Sequence, residues 1–194
     1  MDKGTVLWYQ TPADNFNSAL PVGNGRIGGM VYGGTTEETI NLNEDSIWSG
    51  GKRNRINPDA GKNLNKIREL YFAGEIKEAE ELSMKTMTGV GPDSRHYMPL
   101  GNLKISMGNI AKINGYVRKL DLENAVCVTE FESNGIKYGR EIFVSYPDQV
   151  MVIRVYADKP NSINLSAYIE GCDNFYDDNR PYNENTIIFT EGIG

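Results

Sequence analysis

Apolar and polar residues alternate over many short stretches of this chain, and alternation with a period of two predicts β-strands. The predicted strands cover residues 6–9, 27–32, 39–42, 103–107, 126–131, 136–146, 150–156, 163–169 and 186–189. Asn134-Gly135 lies between two of them, and this dipeptide is a strong hairpin signal because a type I′ turn needs positive φ at both central residues. Closely spaced strands joined by hairpins indicate a mainly β fold, an antiparallel β-sandwich.

One segment has a helical period instead. Its apolar residues recur every three or four positions, with an interruption at Gly74, and no proline occurs between Asp59 and Met87. We therefore predict two short helices, inserted at about 59–88, with Asp59 as the N-cap of the first.

Two strands carry more specific predictions. In 136–146 the apolar residues share one face, and Arg140 is its polar exception. Residues 150–156 are almost continuously apolar, which is typical of a strand buried on both faces. The last predicted strand ends close to Gly194 without a closing element, and because native proteins usually cover sheet edges, we expect the chain to be truncated.

Charge and hydropathy narrow the range of partners. The 194 residues carry a formal net charge of −6 and no basic cluster longer than Lys52-Arg53. Nucleic-acid binding needs a basic surface, so we predict no nucleic-acid partner. Neither a membrane span nor a signal peptide is visible, so we predict no membrane partner and, if Met1 is the natural start, a cytoplasmic location.

The residues that could bind a metal or act as nucleophiles are few. His96 is the single histidine, which excludes metal sites built on a histidine pair. We expect Cys127 to be a free buried thiol rather than the disulfide partner of Cys172. The acidic stretch 173–184 lacks the ligand spacing of an EF-hand and is interpreted as a solvated loop. The sequence thus predicts no metal and no cofactor.

A glycine-rich motif occupies residues 23–28. It matches the G-x-G-x-x-G pattern of dinucleotide-binding loops, and the acidic residues Glu44 and Asp45 follow about 20 residues later. That fold requires a helix directly after the motif, but residues 27–34 contain four glycines and cannot sustain one. We interpret the motif as a tight turn that leads into a strand.

The stretch 41–51 concentrates polar and aromatic side chains. Glu44 and Asp45 cannot act together as an acid–base pair unless the backbone turns, because neighbours in an extended chain point to opposite faces. Two interpretations stay open: a strand end with a half-buried Trp48, or a loop whose Trp48 faces a sugar or another domain. His96, on a later loop, is either structural or solvated, or a general acid or hydrogen-bond donor to a sugar.

Two long strings, Leu20–Gly34 and Leu42–Gly51, resemble the N-terminal domain of glycoside hydrolase family 95, the inverting α-L-fucosidases and related α-L-galactosidases. Shorter similarities extend this resemblance over residues 7 to about 159, at 7–9, 12–13, 57–60, 79–82, 99–103, 120–122, 125–126, 140–143 and 147–150. Asn102 departs from the pattern, since an aspartate is expected there.

The resemblance implies a super-sandwich of the galactose-mutarotase type, followed in family members by a helical linker, an (α/α)6 barrel and a small β part. The catalytic groups of the family lie in the barrel, so no catalytic residue is carried over to this chain. We expect residues 1–194 to be a non-catalytic N-terminal domain, inactive alone, of a larger α-L-fucosidase. Its expected partners are the absent barrel of the same polypeptide and a fucosylated, or α-L-galactosyl, oligosaccharide.

The resemblance and the motifs together indicate a pocket rim or domain interface. The candidate residues are Asn24, Arg26, Asn43, Glu44, Asp45, Trp48 and His96. Two alternatives stay open: a freestanding carbohydrate-binding β-sandwich that uses Trp8 and Trp48 to stack on sugars, and the N-terminal domain of a related glycoside phosphorylase.

Overall fold

The computed structural model describes residues 4–51, 54–91, 96–108, 110–171 and 177–191. The chain divides into two compact units, one of Met1–Ser49 with Tyr97–Gly194 and one of Gly50–His96. The first unit contains the strands β1 (Val6–Tyr9), β2 (Leu20–Gly23), β3 (Ile27–Val31), β4 (Glu37–Glu44), β5 (Gly101–Ser106), β6 (Ile113–Asp121), β7 (Val126–Ser133), β8 (Ile136–Ser145), β9 (Val150–Ala157), β10 (Ser166–Glu170), β11 (Asp177–Asn183) and β12 (Thr186–Glu191).

These strands form two five-stranded antiparallel sheets and a hairpin. The first sheet has the order β1-β6-β7-β8-β9, the second has the order β10-β5-β4-β3-β2, and β11 pairs with β12. The core lies between the two sheets, where residues of the second sheet pack against residues of the first; its buried members are Leu20, Val22, Val31, Ile40, Leu120, Cys127 and Ile142. The predicted antiparallel β-sandwich is confirmed.

Two predictions about strand β7 concern the turn that follows it and its cysteine, Cys127. Asn134 and Gly135 have φ values of 52° and 71°, so the predicted turn with two positive φ angles is confirmed. Cys127 is a free buried thiol, as predicted, and burial raises its pKa to about 12. Cys172 lies outside the described residues.

The second unit contains both predicted helices, α1 (Ala60–Phe72) and α2 (Ile76–Thr86). Gly74, with φ +81°, separates them. Asp59 occupies the N-cap position but makes no capping hydrogen bond; its carboxylate pairs with Lys62 at 2.9 Å. The prediction of Asp59 as the N-cap residue of the first helix is therefore confirmed, although the side chain does not cap the helix.

The structure corrects four strand-level predictions. Strand β2 was missed because it contains Pro21, which an edge strand tolerates. Most of β6 was missed because the inward-facing Arg118 breaks the apolar alternation. Residues 177–183, interpreted as a loop, form β11, while 172–176 lie outside the described residues. Finally, β9 is the last strand of its sheet and is only partly buried, not a strand buried on both faces.

Candidate functional site at the β2–β3 corner

The turn between β2 and β3 is shaped by Asn24. Its Oδ1 accepts hydrogen bonds from the backbone N–H groups of Arg26 at 3.0 Å and Ile27 at 2.8 Å, while Gly25 adopts φ +94°. Its Nδ2 donates to the carbonyl of Ser145, at the end of β8, at 2.9 Å. Asn24 thus holds the glycine turn and ties it to the opposite sheet. A strand rather than a helix follows the motif, so the turn interpretation is confirmed.

Arg26 projects from this turn towards the end of β4. Its Nε lies 2.7 Å from Oε1 of Glu44, and its carbonyl accepts a hydrogen bond from the N–H of Asp45 at 3.1 Å. Oε2 of Glu44 accepts from the backbone N–H of Ser46 at 2.9 Å and from its hydroxyl at 2.6 Å. The Ser46 hydroxyl and then the Arg26 guanidinium lower the pKa of Glu44 to about 2. This carboxylate stays ionised at neutral pH and is unsuited to donate a proton.

Two aromatic side chains stand beside this ion pair. Trp48 and Tyr97 form an isolated antiparallel bridge, and their rings meet edge to face with centroids 5.3 Å apart. The Tyr97 hydroxyl accepts a hydrogen bond from Nδ2 of Asn43 at 2.5 Å and donates to the carbonyl of Glu44 at 3.3 Å. Trp48 donates its Nε1–H to the carbonyl of Asp45 at 3.3 Å. Both residues are nevertheless 45% exposed, so the corner presents an aromatic surface.

The structure brings six of the seven candidate residues together in the sandwich unit. These are Asn24, Arg26, Asn43, Glu44, Asp45 and Trp48. Asp45 contributes its backbone N–H and carbonyl to the corner. His96 belongs to the second unit.

Tyr97 is the corner residue that the sequence did not identify. The signal was present, because Tyr97 directly follows His96 and precedes the Pro99–Leu103 string that carries the family resemblance. Tyr97 belongs to the corner because the segment before β5 lies beside the end of β4, a long-range pairing that the sequence does not show.

A second polar cluster, buried between the sheets, was also missed. Glu38 of β4 is 0% exposed, and its carboxylate accepts hydrogen bonds from the backbone N–H groups of Tyr32, Gly33 and Thr39 and from Nη2 of Arg140. The same Nη2 donates to the carbonyl of Gly34 at 2.6 Å. Burial raises the pKa of Glu38, while the Arg140 guanidinium and the backbone donors oppose that shift.

This cluster connects the two sheets, because Glu38 lies on β4 and Arg140 on β8. Arg118 extends it towards the N-terminal segment by donating to the carbonyls of Thr11 and Ser18, each at 2.8 Å. Since Glu38 and Arg140 are buried and paired with each other, and Arg118 is engaged by backbone carbonyls, these charges are suited to a structural role rather than to binding a substrate.

Two kinds of site are absent from the part of the chain that the structure describes. No group of three or more histidine, cysteine, aspartate or glutamate side chains is arranged there to hold a metal ion. Within the same residues, no helix has the length and apolar character needed to cross a membrane.

Comparison with known proteins identifies similar sequences over most of the chain. A family model described as the N-terminal domain of glycosyl hydrolase family 65 matches residues 7–192. α-L-Fucosidase 2 of Arabidopsis thaliana is 33% identical over 164 residues, 83% of this chain and 19% of the relative. Probable α-fucosidases A of Aspergillus niger and Aspergillus oryzae are 38% and 32% identical over 160 residues, 77% of this chain. The chain spans about a fifth of the length of these curated relatives.

Proposed function

The chain belongs to the family of glycosyl hydrolase N-terminal domains described above, and from this premise we propose that it is the non-catalytic N-terminal domain of an inverting α-L-fucosidase. The predicted resemblance to the family 95 N-terminal domain is confirmed. The complete enzyme would hydrolyse terminal α-L-fucosyl or α-L-galactosyl residues of oligosaccharides. The names of the relatives support fucose as the sugar.

The β2–β3 corner supports a non-catalytic role. An inverting glycosidase needs two carboxyl groups roughly 6.5–9.5 Å apart, one of which donates a proton. Glu44 cannot donate one at neutral pH, because its pKa is lowered to about 2 and both of its oxygens are engaged by Arg26 and Ser46. We therefore assign proton transfer to the catalytic barrel of the same polypeptide and expect residues 1–194 alone to be inactive.

The exposed aromatic pair, Trp48 and Tyr97, is the observation that supports a contact surface at this corner. Trp48 and Tyr97 are held by backbone pairing and by hydrogen bonds with Asp45 and Asn43, yet each residue is 45% exposed. Rigid exposed aromatic side chains are typical of contact surfaces. In this proposal the corner packs on the barrel and shapes the rim of its active site.

The test uses Trp48→Ala in the complete polypeptide. We expect kcat/KM for a fucoside to fall by roughly 10-fold, because misplacing a pocket wall weakens the positioning of the substrate. Trp8→Ala is the matched control, since Trp8 is also exposed, at 61%, but lies on β1 in the other sheet. Wild-type kinetics in a folded Trp48→Ala protein would contradict the proposed role of the corner.

An activity assay of the complete polypeptide, with and without phosphate, distinguishes a hydrolase from the alternative, a glycoside phosphorylase. Fucose release that does not depend on added phosphate supports the hydrolase, whereas a strict phosphate requirement supports the phosphorylase. A cytoplasmic location remains a prediction, conditional on Met1 as the natural start.

A further inference from the structure

A groove of about 530 Å³ lies beside the corner, on the face of the second sheet opposite the core. The strand register defines this face, because Pro21 pairs with Met30, Met30 with Asn41, and Asn41 with Asn102, which places their side chains in one row. Gly28 and Asn43 form the adjacent row. Because Gly28 has no side chain, the sheet has a shallow depression at this point.

The walls of the groove are apolar and aromatic. Met30 and Pro21 come from the sheet, Tyr97 comes from the corner, and Phe16 comes from the 3-10 turn Phe16–Ser18. That turn is fixed by a capping box with Asn15 and by the hydrogen bond from Arg118 to the carbonyl of Ser18. The buried Arg118 therefore helps to hold one wall of the groove in place.

The polar groups of the groove are neutral. None of its lining residues carries a charge, although 24% of the chain is charged. By contrast, two hollows of similar size on the first sheet, of about 500 and 400 Å³, are both lined by Glu130 together with a lysine and an aspartate. The absence of charge on the groove lining favours a neutral ligand over a phosphorylated or acidic one.

One amide of the groove has unused hydrogen-bonding capacity. Asn41 donates its Nδ2–H to Oδ1 of Asn102 at 2.5 Å, but its own Oδ1 accepts no hydrogen bond from the residues that the structure describes. A buried acceptor without a donor is unfavourable, so a ligand hydroxyl that reached it with a small rotation of the side chain would gain a hydrogen bond.

We propose that this groove binds a neutral 6-deoxyhexose, the α-L-fucosyl end of an oligosaccharide; the identity of the sugar rests on the proposed function. Such a sugar combines hydroxyl groups with an apolar methyl group and an apolar ring face. The ring face and the methyl group lie against Met30, Pro21 and Phe16, and a hydroxyl donates to Oδ1 of Asn41. The volume falls within the usual range for small-molecule sites.

The test is an NMR titration of the 194-residue chain with methyl α-L-fucoside and with methyl α-L-galactoside, which differ at C6 by one hydroxyl. We expect saturable shifts confined to the groove, with a Kd on the order of millimolar for so small a ligand. The fucoside should bind several-fold more tightly, because the apolar wall leaves the additional hydroxyl without a partner.

Gly28→Leu is the decisive variant. A Cβ at Gly28 would meet only the carbonyl oxygen of Val22, at 3.8 Å, so the new side chain enters the groove without straining the backbone. We expect it to reduce fucoside binding at least 10-fold. Gly61→Leu is the matched control, because Gly61 also has open space for a Cβ but lies on α1 in the other unit.

Each outcome decides a separate point. Absence of saturable groove shifts, or equal binding by Gly28→Leu, overturns the groove proposal, and equal affinity for both sugars overturns its preference for the deoxy sugar. If the chain does not bind while the complete polypeptide releases fucose, only the groove proposal fails. If the chain binds fucoside but the complete polypeptide hydrolyses none, the proposed function fails and the groove assignment stands.

Discussion

Strand β4 carries two carboxylates that form ion pairs in opposite surroundings. Glu38, near its start, is fully buried and pairs with Arg140, which is only 2% exposed. Glu44, its last residue, pairs at the surface with Arg26; the side chain of Arg26 is 57% exposed and that of Glu44 is 14% exposed. The two arginine–carboxylate pairs share the same chemistry, but the inner pair connects two sheets, whereas the outer pair shapes a surface corner.

The difference follows from solvation. A buried charge has lost its hydration, so removing its partner leaves a strongly unfavourable group in the interior. An exposed pair can exchange its partner for water and contributes little to stability. We therefore expect substitutions in the inner cluster to unfold the domain, and substitutions at the corner to change recognition while the domain stays folded.

The largest expected effect is that of Arg140→Met. This change leaves the Glu38 carboxylate buried without its cation, and we expect the free energy of unfolding to fall by about 3–5 kcal/mol. Urea denaturation followed by tryptophan fluorescence measures it. The control is Arg154→Met, which breaks a surface pair with Glu141 (3.1 Å) and should cost at most about 1 kcal/mol. Equal losses in the two variants would contradict the distinction.

We expect Gly34→Ala to lower the free energy of unfolding by a smaller amount; this variant tests the backbone around the buried pair of Glu38 and Arg140. Gly34 accepts the hydrogen bond from Arg140, and a Cβ at this position would overlap the backbone carbonyl of Glu37. The chain must shift to relieve the overlap, so we expect a loss of about 1–3 kcal/mol in the same denaturation experiment. Gly28→Ala, where a Cβ has room, is the control and should be nearly neutral. An unchanged stability for Gly34→Ala would show that the turn is more adaptable than the structure implies.

The arrangement of the corner around Arg26 and Glu44 was largely predictable from the sequence, whereas the buried pair of Glu38 and Arg140 was not. Apart from Tyr97, the corner residues lie within two short strings, and local turn chemistry at Asn24 and Ser46 arranges them. Arg140 was recognised as the polar exception on its strand, but its partner Glu38 is 102 positions away. Their pairing depends on which strands of the two sheets face each other, and no local pattern contains that information.

The same limit explains the misjudged strands. An apolar run such as 150–156 indicates contact on both faces but does not show whether a strand is central or at an edge of the sheet. In β9, Met151 and Ile153 pack on the core, while on the other face Tyr156 lies over Gly139 of β8. The apolar run therefore overestimated the burial of this strand, because a strand at the edge of the sheet is only partly covered.

The smallest expected effect on stability comes from the protonation of Glu44 at low pH, which affects only the corner. Its folded pKa of about 2 lies below the ordinary value of about 4.3, so the ionised carboxylate stabilises the corner fully above that ordinary value. This contribution is lost as the pH falls from about 4.3 towards 2. Carboxyl carbon shifts followed by NMR against pH measure the pKa directly.

Two variants separate the causes of this low pKa. Ser46→Ala and Arg26→Gln should each raise the pKa of Glu44, because the hydrogen bonds from the Ser46 hydroxyl and then from the Arg26 guanidinium are the two largest causes of the shift. Neither variant should alter unfolding by urea at neutral pH as Arg140→Met does, since the pair is at the surface. If Arg26→Gln unfolds the domain, or if Glu44 titrates at its ordinary value in the wild type, the corner is not the preorganised surface on which the proposed contact with a sugar or a catalytic domain depends.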